Sequence, residues 1–288
     1  MQPNRSTICI VGLGLMGGSL ALALKQAGWA PHIVGVSRSR TTLAAARDGG
    51  AIDAGTSDLA EGVAAAAVVV LATPVRTILQ LLPQVGRHAA AGALILDLGS
   101  SKTQICAALA ELPAHLEPVG GHPMCGKEVA GFAAADASLF QRRPFVLCPL
   151  PRTGPDALRL ADSLARATGA HPVVLTPGEH DRTVAAISHL PYTVAVALVN
   201  AVGVAGNPLA WSLASSGFRD TSRVAGSDVD MMLDTLLTNR EAVLTWIEAF
   251  AAQLDGLRSA LAAEDEPALR AQLTAARAKR VQVGKTIE

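Results

Sequence analysis

One run near the N-terminus limits the fold more than any other feature: Ile8-Cys9-Ile10-Val11-Gly12-Leu13-Gly14-Leu15-Met16-Gly17-Gly18-Ser19. It reads as a strand, a GxGxxG turn and the start of a helix. The glycines let the backbone turn tightly and approach a pyrophosphate. Gly12, Gly14, Leu15, Met16 and Gly17 then place free backbone N–H groups at a helix N-terminus, where phosphates bind. Alone, the motif is weak. Directly after the first strand and ahead of another β–α unit, it predicts a dinucleotide-binding domain.

The chain after it keeps that rhythm. Strands are expected at 7–11, 32–36, 66–72, 94–98, 116–119 and 144–148, and helices at 16–27, 41–48 and about 102–112. Alternation of this kind makes a mostly parallel sheet with helices on both faces. The pattern changes near residue 176. Thr176-Pro177-Gly178-Glu179 reads as a capping box with Pro at the first helical position. A long apolar segment follows to about Val202, with a kink expected near Pro191. Only helical patterning follows, including 239–257 and 266–279. The expected organisation is an α/β Rossmann-type nucleotide-binding domain at 1–175 and an all-α domain at 176–288.

Ligands of open α/β sheets sit at the carboxyl ends of the strands. The second strand ends in Val36-Ser37-Arg38-Ser39-Arg40, with no acid to bond a ribose 2′-hydroxyl. A hydroxyl (Ser37) and two guanidinium groups (Arg38, Arg40) suit a 2′-phosphate, so NADP is the expected cofactor, with NAD also admissible. Thr73-Pro74, Gly99-Ser100-Ser101-Lys102 and Gly120-Gly121-His122-Pro123 fall at three further strand ends, within reach of one crevice. His122, lifted off its strand end by two glycines, is the expected acceptor for a hydroxyl proton during hydride loss. Ser100 either holds that histidine or the substrate hydroxyl, or merely caps a helix. His32, His88, His115 and His171 read as structural. In the helical half, Glu179-His180-Asp181-Arg182, Ser188-His189-Leu190-Pro191 and Gly217-Phe218-Arg219-Asp220-Thr221-Ser222-Arg223 form a second polar group. Arg219 and Arg223 lie four apart and would share a helix face; each suits a substrate carboxylate or an internal salt bridge.

Charge argues against several partners. The 288 residues carry 24 basic and 24 acidic side chains, with no long basic run, so neither nucleic acid nor a membrane surface is expected. The longest apolar run, 63–72, is shorter than the roughly 20 residues of a membrane span. No export leader is read in the first residues, and four widely spaced cysteines fit a reduced cytoplasmic chain. No metal is expected.

The stretches VGLGLMGGSLA, DLGSSK, GGHPMCGKEVAG, EHDR, SHLP and GFRDTSRVAGS together resemble the prephenate/arogenate dehydrogenase family of tyrosine biosynthesis. They run from Val11 to Ser227. The resemblance implies oxidation of a ring C4 hydroxyl with hydride transfer to NAD(P), loss of the ring carboxylate as CO₂, and aromatisation. It implies that His122 accepts the hydrogen bond of the C4 hydroxyl and that Ser100 touches this histidine, the substrate and the nicotinamide. Arg223 would bind a substrate carboxylate, Glu128 and Asp181 would sit at the entrance, and His189 would match the family's helix histidine. Family members that use prephenate often have a second histidine after SHLP, where this chain has Tyr192. They also often have a tryptophan where it has Met232. These departures fall where side-chain recognition is expected, and with Ser37-Arg38 they resemble NADP-linked, arogenate-using members. The resemblance further implies a homodimer through the helical domain, which is small for burying its own apolar faces.

Two other readings stay open: a 3-hydroxyacid-type dehydrogenase and a non-catalytic dinucleotide-binding sensor. The former relies on a lysine in its helical domain. Here that half has only Lys279 and Lys285, near the terminus.

Overall fold

The computed structural model describes residues 7–29, 32–204 and 206–287, with side chains through 283. Residues 1–6, where no leader is read, and the side chain of Lys285 lie outside the described residues. The chain through Arg240 forms one compact unit; the chain from Glu241 onward forms a second, described by itself.

The first unit opens with β1 (Thr7–Val11), α1 (Leu15–Gln26), β2 (His32–Val36), α2 (Arg40–Asp48), β3 (Ala54–Thr56), α3 (Leu59–Val63), β4 (Val68–Leu71) and α4 (Val75–His88). It continues with β5 (Leu94–Asp97), α5 (Thr103–Ala110), β6 (Glu117–Pro123), β7 (Pro144–Pro149), α6 (Pro155–Ala167) and β8 (His171–Val174). The eight strands form one sheet in the order β3-β2-β1-β4-β5-β6-β7-β8. The pairs from β3 to β6 are parallel, β7 runs antiparallel to β6, and β8 is parallel to β7. Alternate residues of the central strands enter opposite cores. Ile8, Ile10, Val68, Val70, Leu94 and Leu96 join one cluster with Leu20 and Leu24 of α1. Cys9, Val11, Val69, Leu71 and Ile95 join the other with Ile78, Leu82 and Val85 of α4. Both faces are covered, which explains why these strands read as unbroken apolar runs.

Contrary to the sequence pattern, β6 does not stop at Val119. It carries Gly120, Gly121 and His122 onward inside the strand, paired with β7 (Gly121 opposite Leu147, His122 opposite Val146). The glycines are there for space. A Cβ on Gly120 would lie 2.6 Å from the Cys106 sulfur, and one on Gly121 2.5 Å from the Asp97 carbonyl oxygen. Because β5 ends at Asp97 and pairs β6 only as far as Val119, His122 lies past the end of its parallel neighbour. The elements β3, α3, α4, α6 and β8 have no counterpart in the pattern read from the sequence; β3, α3 and β8, at three to five residues, are too brief to show a period.

The rest of the unit is helical: α7 (Pro177–Val184), a π-helical turn (Ala185–His189), α8 (Leu190–Val204), α9 (Pro208–Ser212), α10 (Ser216–Ser222), a 3₁₀ turn (Arg223–Gly226) and α11 (Val229–Thr238). The capping box forms as read, Thr176 accepting from the Glu179 N–H while the Glu179 carboxylate returns to the Thr176 N–H. The irregularity expected at Pro191 is a π turn just before it. There the widened ring dispenses with the N–H that proline lacks.

The continuous helical stretch Pro177–Val204 is, by length and composition, the one among the described residues able to cross a membrane. A count of unbroken apolar residues overlooked it, because uncharged Ser188, His189, Tyr192 and Asn200 interrupt the run.

The second unit begins within α12 (Arg240–Ala262) and holds α13 (Glu266–Ile287). Glu264 takes a left-handed conformation (φ 51°) in the connecting turn, and the Asp265 carboxylate accepts from the Ala268 N–H to cap α13.

Candidate active site

The glycine turn is built for a ligand. Gly12 adopts φ +95°, and a Cβ there would lie 2.8 Å from the Ala72 carbonyl oxygen. A Cβ on Gly17 would fall 1.9 Å from the Gly12 carbonyl oxygen, so only glycine lets α1 start this close to β1. Gly14 differs: nothing lies within 4 Å of its Cβ position, which is open space. Gly14 is the N-cap of α1 and offers no side-chain cap, so the first N–H groups of Leu15, Met16 and Gly17 are available to an anion. Beside this turn, at the end of β4, the Thr73 hydroxyl is buried without a hydrogen-bond partner, and Pro74 caps α4. At the end of β2, the Ser37 hydroxyl accepts from the Ser39 N–H at 3.3 Å, and Ser39 caps α2. Arg38 and Arg40 are exposed, and neither has an ion pair among the described residues. The open glycine, the uncapped helix and the orphaned hydroxyl together fit a dinucleotide phosphate.

At the end of β5, Asp97 and Lys102 form an ion pair with both side chains 0% exposed. Asp97 also accepts from the N–H groups of Gly99 and Gly121 at 2.7 and 3.0 Å, and the Lys102 ammonium donates to the Gly121 carbonyl at 2.7 Å. The pair therefore ties the end of β5 to the stretch of β6 just before His122.

His122 is half-buried, and its Nδ1 lies 2.7 Å from Nε2 of His180. The rings meet edge to face, centroids 5.0 Å apart. His180 is fully buried, and its Nδ1 lies 2.7 Å from the Asp181 carboxylate. That carboxylate also accepts from the Lys102 and Thr103 N–H groups at 2.7 and 2.8 Å, at the start of α5. Burial, then the nearby His180, Lys102 and His189, holds the His122 imidazole well below its ordinary pKa, so it is neutral at pH 7. Burial pushes the Asp181 carboxyl up. The hydrogen bonds from His180, Thr103 and Lys102 outweigh that and keep it below its ordinary value.

Several expected positions need correction. Asp181 is not at an entrance: it is 4% exposed and its oxygens are committed to α5 and His180. His189 is 1% exposed and sits in the π turn with Nδ1 3.2 Å from the Asn239 amide nitrogen. Burial takes it down to about 4. The Ser100 hydroxyl lies 2.6 Å from that of Thr235, and α11, not His122, is its partner. Arg219 is exposed and pairs with Asp220, while Arg223, four residues on, follows α10 and begins the 3₁₀ turn. Arg223 instead pairs with the Glu128 carboxylate, in the segment that leaves β6. Tyr192 is partly buried in the first turn of α8.

His180, Lys102, Asp97, Thr235 and Asn239 were missed as site residues. Two of them stood in the DLGSSK stretch and one in EHDR. Thr235 and Asn239 carry no motif and are found only through their partners.

A parallel sheet with a glycine-turn phosphate cradle and a neutral histidine beyond its strand ends defines a dinucleotide-dependent oxidoreductase. Comparison with known proteins narrows this. Residues 20–174 match the family model described as prephenate dehydrogenase, nucleotide-binding domain, and 176–275 the one described as prephenate dehydrogenase, dimerization domain. The chain belongs to the prephenate dehydrogenase family. It is 35% identical over 269 residues to the prephenate dehydrogenase of Bacillus subtilis, covering 92% of this chain and 72% of the relative. Among solved structures, the Aquifex aeolicus prephenate dehydrogenase in complex with hydroxyphenyl propionate and NAD⁺ superposes with a TM-score of 0.90 at 29% identity (97% of this chain, 98% of the other). The Synechocystis arogenate dehydrogenase gives 0.82 at 34% (96% and 99%).

Proposed function

We propose that this chain oxidatively decarboxylates a cyclohexadienol, prephenate or arogenate, giving 4-hydroxyphenylpyruvate or tyrosine. The observation that carries the reading is His122: neutral, half-buried and past the end of β5 in a sheet whose first turn suits a pyrophosphate. A bound nicotinamide supplies the hydride acceptor. His122 accepts the C4 hydroxyl proton as the C4 hydrogen departs with its electron pair. The ring carboxylate then leaves as CO₂ and its bonding electrons complete the aromatic ring. Arg223 binds a substrate carboxylate, exchanging its exposed pairing with Glu128 for that contact. Tyr192 and the half of the chain from 176 onward shape the pocket for the substrate side chain, while the half through 175 holds the cofactor.

The nicotinamide dinucleotide is NADP in preference to NAD. Ser37, Arg38 and Arg40 present a hydroxyl and two guanidinium groups, without ion pairs among the described residues, where a 2′-phosphate would lie. The protein works as a cytoplasmic homodimer, which the exposed apolar helices of the second half support.

Steady-state assays crossing prephenate and arogenate with NAD and NADP test this. Turnover of at least one substrate is expected, with a higher kcat/KM for NADP that Arg38→Ala reduces. His122→Asn is expected to lose about 10²–10⁴-fold in kcat while still binding cofactor. Undiminished turnover in His122→Asn would remove the proton acceptor, and a strong NAD preference would remove the cofactor assignment.

A further inference from the structure

The residues behind His122 form a chain whose proton positions can be worked out from one end. A carboxylate only accepts, so the His180 nitrogen facing Asp181, Nδ1, carries a hydrogen. The Asp181 charge is also met by two N–H groups at the start of α5, where the helix dipole favours an anion. With a single hydrogen, on Nδ1, the His180 ring has a lone pair on Nε2. The group 2.7 Å from that lone pair, Nδ1 of His122, must be the donor. The hydrogen of His122 is thereby fixed on Nδ1 and its Nε2 is left as a bare acceptor.

We propose that His180, backed by Asp181, is a positioning residue that fixes the tautomer of His122 and leaves Nε2 free to take the substrate proton. This rests on the reading of His122 as proton acceptor. When that proton arrives, the His122 Nδ1–H donates more strongly into His180, and the positive charge formed on the ring is stabilised through His180 by the Asp181 carboxylate. No proton needs to move along the chain. A neutral His122 with the opposite tautomer would present an N–H to the substrate hydroxyl and could not act as a base.

The charged and titratable groups facing the His122 ring are His180 and Asp181 of α7, Lys102 ahead of α5 and His189 of the π turn. His180→Leu removes the acceptor and leaves the other three. It is expected to lower kcat by about 10–100-fold, as loss of an outer orienting group does elsewhere, with substrate KM and cofactor affinity little changed. His180→Gln, whose amide oxygen can still accept from Nδ1, should retain more turnover than His180→Leu. Unchanged kcat in His180→Leu overturns the proposal.

The unsubstituted protein provides a test that does not depend on how the variants fold. Long-range ¹H–¹⁵N spectra of histidine-labelled protein near pH 7.5, with the His122 signals assigned by their loss in His122→Asn, should show Nδ1 protonated and Nε2 bare. An Nε2–H tautomer of His122, or a doubly protonated His180, overturns it. The two readings fail separately. An active His122→Asn removes the base itself, whereas an inactive His122→Asn beside a fully active His180→Leu removes only the role given to His180.

Discussion

Lys102 and Asp97 show how much a single buried pair can organise. Both side chains are 0% exposed, and Asp97 also receives the Gly99 and Gly121 N–H groups. Lys102→Met would leave an unpaired buried carboxylate and a Gly121 carbonyl without its donor. The expected loss is about 3–5 kcal/mol, read from denaturant midpoints. Adding Asp97→Leu should not restore stability, because two backbone N–H groups would then be orphaned; recovery in the double variant would contradict this account. His189 sets a second expectation. Its folded pKa of about 4 lies below the ordinary 6.5, so between those values the unfolded chain binds a proton that the native one refuses. Stability is therefore complete above about pH 6.5 and falls as pH drops toward 4, by on the order of 3 kcal/mol. The depressed His122 acts in the same direction. The Asp181 carboxyl, held low, adds its own loss only at more acid pH. Midpoints measured at pH 7 and pH 4.5 should differ, and by less in His189→Gln; equal midpoints would refute the assignment. His122 and Arg223 were legible because glycines or repeated charges framed them. His180 lies within EHDR, but its partner is 58 residues away and no local spacing points to it.

The glycine turn was the most legible element, because three of its positions are dictated by backbone contact or ligand approach. Those positions are not equivalent. Gly17→Val would drive a side chain into the Gly12 carbonyl, whereas Gly14→Val would enter open space. Gly14→Val is therefore expected to melt close to the unsubstituted protein yet lose dinucleotide binding, and Gly17→Val to lose both. Calorimetry with and without cofactor separates the outcomes; cofactor binding intact in Gly14→Val would mean that the phosphates lie elsewhere. The end of β6 was less legible. Gly120 and Gly121 read as a release from the strand, but they are small because Cys106, Asp97 and Phe145 press on them from neighbouring elements, a tertiary cause that the local sequence does not carry. α11 was invisible as a functional element for the same reason. Its Thr235 and Thr238 hydroxyls meet Ser100 and Ser101 at 2.6 and 2.7 Å, and Asp234 receives Arg76 of α4. It locks the β5 loop and the α4 start to the helical half through polar contacts that no apolar period announces.

The helical segments expose what a monomer would bury. Leu209, Leu213, Val204 and Val229 are 64%, 78%, 88% and 72% exposed, far more apolar surface than scattered single residues explain. Helix α8 is the clearest case: its composition is apolar enough for a core helix, yet Ala195 is the only residue on it that is buried. A helix of that composition must find cover, from lipid or from another protein surface. Residues 176–275 match a dimerization domain, which favours a second copy of the chain. The proposed homodimer then has a direct measurement: light scattering should give about twice the 29.5 kDa chain mass without detergent. Glutamate in place of Leu213 puts an unpaired charge into any surface that covers it, so Leu213→Glu is expected to shift the population toward monomer or aggregate. Cofactor binding should survive, because the glycine turn, β2 and β4 lie in the other half of the chain. A monodisperse 29.5 kDa species before substitution, or a chain that stays in solution only with detergent, would show that α8 is covered in some other way.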